Sequence, residues 1–117
     1  MWNLYFRRAI PAMKEITPTD LKALIDNKAD FQLIDVREPH EYEICNLNGE
    51  LIPLSQIPES IDKIDKNRQV VIHCRSGARS GQAIKWLEQN HGLTKLYNLK
   101  GGILAWSDQI DPTVTKY

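Results

Sequence analysis

The stretch that decides the fold is Val70-Val71-Ile72-His73-Cys74-Arg75-Ser76-Gly77-Ala78-Arg79-Ser80. It begins with a short apolar run, which is typical of a buried strand. The residues that follow, from Gln82 to Gln89, have the apolar spacing of a helix. The stretch therefore predicts a strand, a short loop and a helix, with Cys74 where the strand ends.

The loop after Cys74 predicts a site for an anionic sulfur. Backbone N–H groups at the start of a helix have no partners within the helix, and they favour negative charge nearby. Arg75 and Arg79 add positive charge, so the pKa of the Cys74 thiol is expected to be lowered. An inert buried thiol is the alternative, but it does not account for these arginines. Cys45, between acidic and apolar residues, is predicted to be an ordinary packed or semi-exposed thiol.

The length of the loop favours sulfur transfer over phosphate chemistry. Cysteine phosphatases carry an arginine six residues after the cysteine, whereas Ser80 stands at that position here and Arg79 comes one residue earlier. The shorter ring of N–H groups is expected to be too tight for a phosphoryl group but wide enough for one additional sulfur atom.

From about Glu15 to the C-terminus, the sequence resembles the rhodanese family of sulfurtransferases. The resemblance rests on three motifs, which are Leu33-Ile34-Asp35-Val36-Arg37-Glu38-Pro39 with Glu41-Tyr42, Cys74-Arg75-Ser76-Gly77-Ala78-Arg79-Ser80, and Leu99-Lys100-Gly101-Gly102-Ile103-Leu104-Ala105-Trp106. One departure is Asn46-Leu47-Asn48-Gly49-Glu50-Leu51-Ile52-Pro53, where many members have a Gly-His-Ile pattern. This variant and the ending Trp106-Ser107-Asp108-Gln109-Ile110-Asp111-Pro112 look most like the rhodanese domain attached to adenylyltransferases of molybdopterin and thiamine-type sulfur pathways.

Together, the motifs and the resemblance imply a two-step mechanism. Cys74 would take a sulfane sulfur from a donor, forming a persulfide, and hand the outer sulfur to a thiophilic acceptor. Thiosulfate is the usual test donor of the family, and the persulfide of a cysteine desulfurase is the expected physiological donor. Cyanide in vitro or a ubiquitin-like sulfur-carrier protein would be the acceptor, and no metal or organic cofactor is required. The remaining site residues would be substrate-binding Arg75, Ser76, Gly77, Ala78, Arg79 and Ser80, with supporting Asp35, Arg37 and Trp106.

Two other functions stay open at this point. A non-catalytic sulfur-binding or sensing module could use the same loop, and a cyanide-dependent assay separates it from an enzyme. A phosphatase or arsenate reductase is disfavoured by the length of the loop.

Length and composition indicate a single small domain. The chain has 117 residues and equal numbers of basic and acidic side chains, 15 of each, so nothing attracts it as a whole to nucleic acid or to a membrane. Two cysteines do not make a disulfide framework, and a thiol that cycles chemically suits the cytoplasm. We expect an N-terminal extension over 1–14 and one rhodanese domain over 15–117. Trp2, Tyr5 and Phe6 would share one face of a helical extension, which either crosses the domain, docks a partner or is the remnant of a link.

Strand and helix patterns alternate along the chain. The strand patterns are short, nearly continuous apolar runs, and the helix patterns carry apolar residues at helical spacing. We therefore predict an α/β fold with a mainly parallel central sheet flanked by helices. The predicted strands are 14–16, 31–36, 50–52, 69–74 and 95–98. Five helices are predicted. The first begins at Thr17, the second covers 38–42, and the third has Ile57, Ile61 and Ile64 on one side. The fourth follows the Cys74 loop, and the fifth has Ile103, Trp106 and Ile110 on one side.

Several other candidate residues are predicted to have structural roles in place of catalytic ones. His73 points away from Cys74 if both belong to one strand, so it is predicted to be a packed strand residue and not a general base. Asp35 and Arg37 share a face and are expected to form a charge network near the site. Gly101-Gly102 would permit a close approach of two backbones, and Trp106 is expected in the core.

Overall fold

A computed structural model describes residues 12–117 of the chain. It contains five strands, β1 (Glu15–Ile16), β2 (Phe31–Asp35), β3 (Glu50–Leu51), β4 (Gln69–His73) and β5 (Leu96–Leu99). They form one sheet in the order β1-β5-β4-β2-β3, and every neighbouring pair is parallel. The helices are α1 (Pro18–Asp26), α2 (Pro39–Ile44), α3 (Ala78–His91) and α4 (Gly102–Gln109), with a 3-10 helix at Leu54–Lys63. The predicted α/β fold with a parallel central sheet is confirmed.

Local sequence explains where the helices begin and end. Thr17 caps α1 by accepting a hydrogen bond from the Asp20 amide at 3.1 Å, and Pro18 supplies a preset backbone angle in the first turn. Glu38 and Glu41 form a capping box at the start of α2. Gly92 ends α3 in the left-handed conformation that glycine adopts without strain.

The two faces of the sheet bury two separate apolar clusters, because side chains alternate along each strand. Val70, Ile72 and Cys74 belong to the cluster that α3 and the 3-10 helix cover. Val71 belongs to the other cluster, which contains Leu21 of α1 and Trp106 of α4. Cys74 and Trp106 therefore lie in different clusters.

The segment with Ile57, Ile61 and Ile64 differs from the predicted helix. It is a 3-10 helix interrupted at Ser60, and Ile64 lies just beyond its end. Pro58 lies inside it and has no N–H to donate, so a regular α-helical ladder cannot pass through this position. The spacing of the isoleucines still serves burial, since Ile57 and Ile64 both pack in the core.

The predicted N-terminal extension lies largely outside the described residues. Trp2, Tyr5 and Phe6 are among the residues that are not described, and the predicted boundary between 1–14 and 15–117 stays a prediction. Met13 packs against the core, and the carbonyl of Lys14 accepts a hydrogen bond from the backbone N–H of Asn98 at 2.9 Å. Within residues 12–117, no helix has the length and apolar character needed to cross a membrane.

Candidate active site

Cys74 lies directly after β4, at the carboxyl ends of the parallel strands, where such sheets bind ligands. Its side chain is 1% exposed. The amide of Gly77 donates a hydrogen bond to its sulfur at 3.1 Å, and the hydroxyl oxygen of Ser80 lies 3.3 Å from the same atom. The sulfur thus meets the donors at the entrance of α3, as the sequence predicted.

These contacts determine the acidity of the Cys74 thiol. Burial raises its pKa, but the Ser80 hydroxyl and the amides of Ser80, Gly77 and Ser76 outweigh that effect by favouring the thiolate. The resulting pKa lies below the ordinary value of a thiol.

The first turn of α4 sets the direction of the peptide groups in the loop. The amide of Ile103 donates to the carbonyl of Cys74 at 3.0 Å, and the amide of Leu104 donates to that of Arg75 at 3.1 Å. In a trans peptide the C=O and N–H point in opposite directions. The amides of Arg75 and Ser76 therefore face away from α4, and the Ser76 amide reaches the sulfur.

Gly102 makes this contact between α4 and the loop possible. A Cβ at Gly102 would overlap the carbonyl group of Arg75, and the residue has a positive φ of 63° that disfavours other side chains. The predicted close backbone approach at Gly101-Gly102 is confirmed.

Arg79 is not a free positive charge, which changes the predicted electrostatics of the loop. Its guanidinium makes two bonds to the Glu41 carboxylate of α2, at 2.6 and 2.9 Å. This pairing is the main reason that the pKa of Glu41 is far below its usual range. The sequence assigned a lowered thiol pKa in part to Arg75 and Arg79, but hydrogen bonds from the loop are its leading causes. The acidic partner of Arg79 lies on a different element, so the absence of acidic residues in the loop was misleading.

Arg75 is the more accessible of the two arginines, since it is exposed while Arg79 is only partly so. Its Nε donates to the backbone carbonyl of Tyr117 at 2.7 Å, and its guanidinium lies 5.2 Å from the centre of the Tyr117 ring. The remaining loop residues differ in exposure, because Ser76 and Ala78 are exposed whereas Ser80 is fully buried.

A buried charge network lies beside the loop and includes the predicted pair of Asp35 and Arg37. Both side chains are fully buried and are joined by a 2.7 Å bond from Nη2 to Oδ2. Arg37 also donates to the Tyr117 hydroxyl at 2.8 Å, and that hydroxyl donates to Glu41 at 2.7 Å. Asp35 and Arg79 are thereby connected through Arg37, Tyr117 and Glu41. The expected charge network is present, and it contacts the loop after Cys74 through Arg79.

Three residues have the structural surroundings that the sequence predicted. His73 is fully buried, and burial lowers its pKa, so it is a neutral strand residue whose Nε2 lies 3.6 Å from Asp35. Trp106 packs in the core, in the cluster that does not contain Cys74. Cys45 is partly buried and lies 3.9 Å from Nη1 of Arg37, outside the Cys74 loop.

Sequence reasoning missed three residues that surround the loop, Glu41, Asn98 and Tyr117. Glu41 was part of a quoted motif, but nothing in its local pattern pairs it with Arg79. Asn98 is a carboxamide in an otherwise apolar strand, and this was a signal of a buried polar contact. Among residues 12–117, no group of three or more His, Cys, Asp or Glu side chains is arranged to hold a metal ion.

The lowered pKa gives the first prediction. In a Cys45→Ser background, the rate of Cys74 alkylation by iodoacetamide should rise with pH with a midpoint below about 8.5, the reference value for a free thiol. The hydrogen bonds to the sulfur favour the charged form, so thiolate should persist to lower pH than in a free cysteine. A midpoint at or above the reference would contradict the activation of Cys74 by the loop.

Comparisons with known proteins agree with this architecture. The Rhodanese family profile, described as a rhodanese-like domain, matches residues 17–109. Among solved structures, the rhodanese-like domain protein from Staphylococcus aureus superimposes with a TM-score of 0.75 at 34% identity, over 84% of this chain and 95% of that one.

Curated relatives include single-domain and larger proteins. A protein named sulfurtransferase from Allochromatium vinosum is 40% identical over 81% of this chain and 89% of its own length. The probable adenylyltransferase/sulfurtransferase MoeZ of Mycobacterium tuberculosis is 36% identical over 87% of this chain, which spans only 26% of the length of MoeZ. On the profile match and these identities, the chain belongs to the family of rhodanese-like domains.

Proposed function

We propose that this chain is a sulfurtransferase in which Cys74 carries the transferred sulfur as a persulfide. The observation that carries the proposal is the pair of contacts at the sulfur, with the Gly77 amide at 3.1 Å and the Ser80 hydroxyl at 3.3 Å. A thiol that several donors favour as thiolate is a nucleophile. Relatives named sulfurtransferases support sulfur transfer as the general reaction.

With thiosulfate as donor, the Cys74 thiolate attacks the sulfane sulfur. A new S–S bond forms, and the S–S bond of thiosulfate breaks with its electron pair leaving on sulfite. The outer sulfur of the persulfide is then an anion that the amides of the loop, from Arg75 to Ser80, can hold. A nucleophilic acceptor attacks this outer sulfur, and the electron pair of the breaking bond returns to Cys74 as thiolate. Cyanide would leave as thiocyanate, and the reaction as written needs no metal or organic cofactor.

A protein persulfide is the physiological donor that fits this chemistry. Its terminal sulfur would pass to Cys74 by the same displacement, with the donor leaving as a thiolate. A cysteine desulfurase would supply such a donor, and a ubiquitin-like sulfur-carrier protein would be the acceptor. A thiol that must return to the reduced state in each cycle suits the cytoplasm.

Mass spectrometry tests the proposal directly. Protein incubated with thiosulfate should gain the mass of one sulfur atom on the peptide that contains Cys74, and cyanide should remove it as thiocyanate. A non-catalytic sulfur-binding module would load sulfur without turnover. Failure to load sulfur from thiosulfate or from a small persulfide would contradict the proposal.

The two arginines should affect the use of donors differently. Arg75→Ala should raise the KM for thiosulfate about 3- to 10-fold, the effect of losing one exposed ionic contact worth about 1 kcal/mol, and should affect an uncharged persulfide donor less. Arg79→Ala should lower kcat/KM for both donors to a similar extent, because Arg79 holds the start of α3 to Glu41. Steady-state kinetics with both donors measure this difference. Equal losses for both donors in Arg75→Ala would show that Arg75 maintains the loop and does not select the donor.

A further inference from the structure

Asn98 is a buried polar residue that lies directly beneath the loop after Cys74. It is 6% exposed, and on β5 it is in register with Ile72 of β4, two residues before Cys74. Side chains two apart on a strand share a face, so Asn98 lies on the same side of the sheet as Cys74. Its position therefore places a carboxamide below the sulfur site.

Two hydrogen bonds fix the orientation of this carboxamide. Nδ2 donates to the carbonyl of Gly77 at 3.0 Å, and only the nitrogen can make this bond because a carbonyl cannot donate. Oδ1 therefore faces the hydroxyl of Ser80, which donates to it at 2.6 Å.

The Ser80 hydroxyl has one proton and more than one acceptor. Oδ1 of Asn98 lies at 2.6 Å, the carbonyl of Gly77 at 3.2 Å and the sulfur of Cys74 at 3.3 Å. The shortest of these contacts is with Asn98. While Cys74 is a thiol, its S–H can donate to the Ser80 oxygen, and Ser80 in turn donates to Asn98.

Ionisation of Cys74 changes what the sulfur requires. Once the thiol proton leaves to water, the sulfur has no proton to donate and is stabilised by donors. Ser80 can turn its proton to the sulfur only by giving up the bond to Asn98. That leaves Oδ1 without its donor in a buried site, which is costly.

We propose that Asn98 is a positioning residue that competes with the Cys74 thiolate for the hydroxyl proton of Ser80, and so limits how far the loop favours the thiolate. The role in sulfur transfer rests on the proposed function. A limit of this kind has a chemical benefit, because the nucleophilicity of a thiolate falls as the pKa of its thiol falls, and an attacking thiol works best when that pKa is near the ambient pH.

The charged and titratable groups around Cys74 are separate from the hydrogen bonds that join Cys74, Ser80 and Asn98. Arg79 of α3, whose charge interacts with that of Cys74, is paired with Glu41 of α2. Arg75 follows Cys74 in the loop, and His73 precedes it on β4, with Nδ1 3.4 Å from the Cys74 carbonyl. All four side chains are unchanged in the variants below.

The test is the pH dependence of Cys74 alkylation in the full chain, in a Cys45→Ser background. Asn98→Leu removes both polar atoms with little change of shape, and the Gly77 carbonyl keeps a second donor, the Gly81 amide at 3.1 Å. The midpoint should fall by about half to one pH unit, because the acceptors then left to the Ser80 proton are the neutral Gly77 carbonyl and the charged thiolate, and the thiolate is the stronger acceptor. Ser80→Ala should raise the midpoint instead, and adding Asn98→Leu to Ser80→Ala should leave the midpoint of the Ser80→Ala variant unchanged.

The sign of the shift separates this role from a structural one. A variant that merely loosened the loop would lose amide contacts with the sulfur, and its midpoint would rise. A rise or no change in folded Asn98→Leu, or an equal fall in the Ser80→Ala background, would overturn the inference. If Asn98→Leu does not give the thermal transition of a folded protein, Asn98→Ala takes its place with the same expected fall.

Gln32→Leu is the matched control, since it removes a carboxamide on β2 that bonds Glu50 and the carbonyl of Lys63. Its midpoint should equal that of the parent, and a fall like that of Asn98→Leu would overturn the inference. Alkylation of Cys74 needs no sulfur donor, so a failure of this inference can be distinguished from a failure of the proposed sulfur transfer. A parent chain that loads sulfur without the Asn98 shift would refute only the inference, and the shift without sulfur loading would refute only the proposed function.

Discussion

Replacing Cys74 with Ser is expected to abolish both the loading of sulfur from thiosulfate and its transfer to cyanide. A serine hydroxyl at this position remains protonated at neutral pH and forms no persulfide, so neither step of the reaction has its nucleophile. The loss should reach the detection limit, at least about 10³-fold in kcat/KM, as for other covalent catalysts that lose the attacking atom. Loading is measured by intact mass after incubation with thiosulfate, and transfer by the rate of thiocyanate formation.

Cys45→Ser is the matched control, and it should load and transfer sulfur at close to the parental rate. Cys45 is also near a positive charge, since its sulfur lies 3.9 Å from Nη1 of Arg37. It differs from Cys74 in lying at the end of α2, and not between the end of a strand and the start of a helix. Loss of transfer in Cys45→Ser together with activity in Cys74→Ser would show that the wrong thiol was chosen.

The sheet and the position of Cys74 were accessible from sequence because both depend on local patterns. The run from Val70 to Ile72 reports a strand buried on both faces, and the helical spacing after the loop reports α3. The 3-10 helix escaped prediction because Ile57, Ile61 and Ile64 have α-helical spacing, while Pro58 interrupts the backbone hydrogen bonds. Periodicity reports which side chains are buried more reliably than which hydrogen-bond pattern the backbone adopts.

The ion pairs around the loop could not be predicted from sequence in the same way, because they join residues that are far apart in the chain. Arg79 bonds Glu41, 38 positions earlier, and Tyr117 reaches Glu41 across 76 positions. No local pattern reports such pairs. The sequence therefore predicted where the thiol with a lowered pKa lies, but it assigned that lowering too strongly to the arginines.

The pair of Asp35 and Arg37 is an electrostatic feature of the site that local spacing did predict. Two residues apart on an extended segment, they share a face, and the structure joins them by bonds of 3.0 and 2.7 Å. The same bonds make the pair a stability element, because its charges are both removed from water.

Asp35→Ala should therefore destabilise the domain by about 3–5 kcal/mol, because it leaves the Arg37 guanidinium buried without a carboxylate. The neutral groups that remain, the Tyr117 hydroxyl and the carbonyls of Glu41 and Cys45, cannot replace a negative charge. A domain of this size is stable by only about 5–15 kcal/mol, so the loss should shift chemical denaturation strongly, as measured by circular dichroism in urea.

Asp30→Ala tests whether burial is the cause of this loss. Asp30 also pairs with an arginine, Arg68, at 3.1 Å, but its side chain is 83% exposed. Water and salt screen such a pair, and its removal should cost about 0–1 kcal/mol. Raised salt should reduce that small effect further while leaving the loss in Asp35→Ala nearly unchanged. Similar small losses in both variants would mean that Arg37 does not depend on Asp35 for charge compensation, and that the hydroxyl and carbonyl partners suffice to hold it in the core.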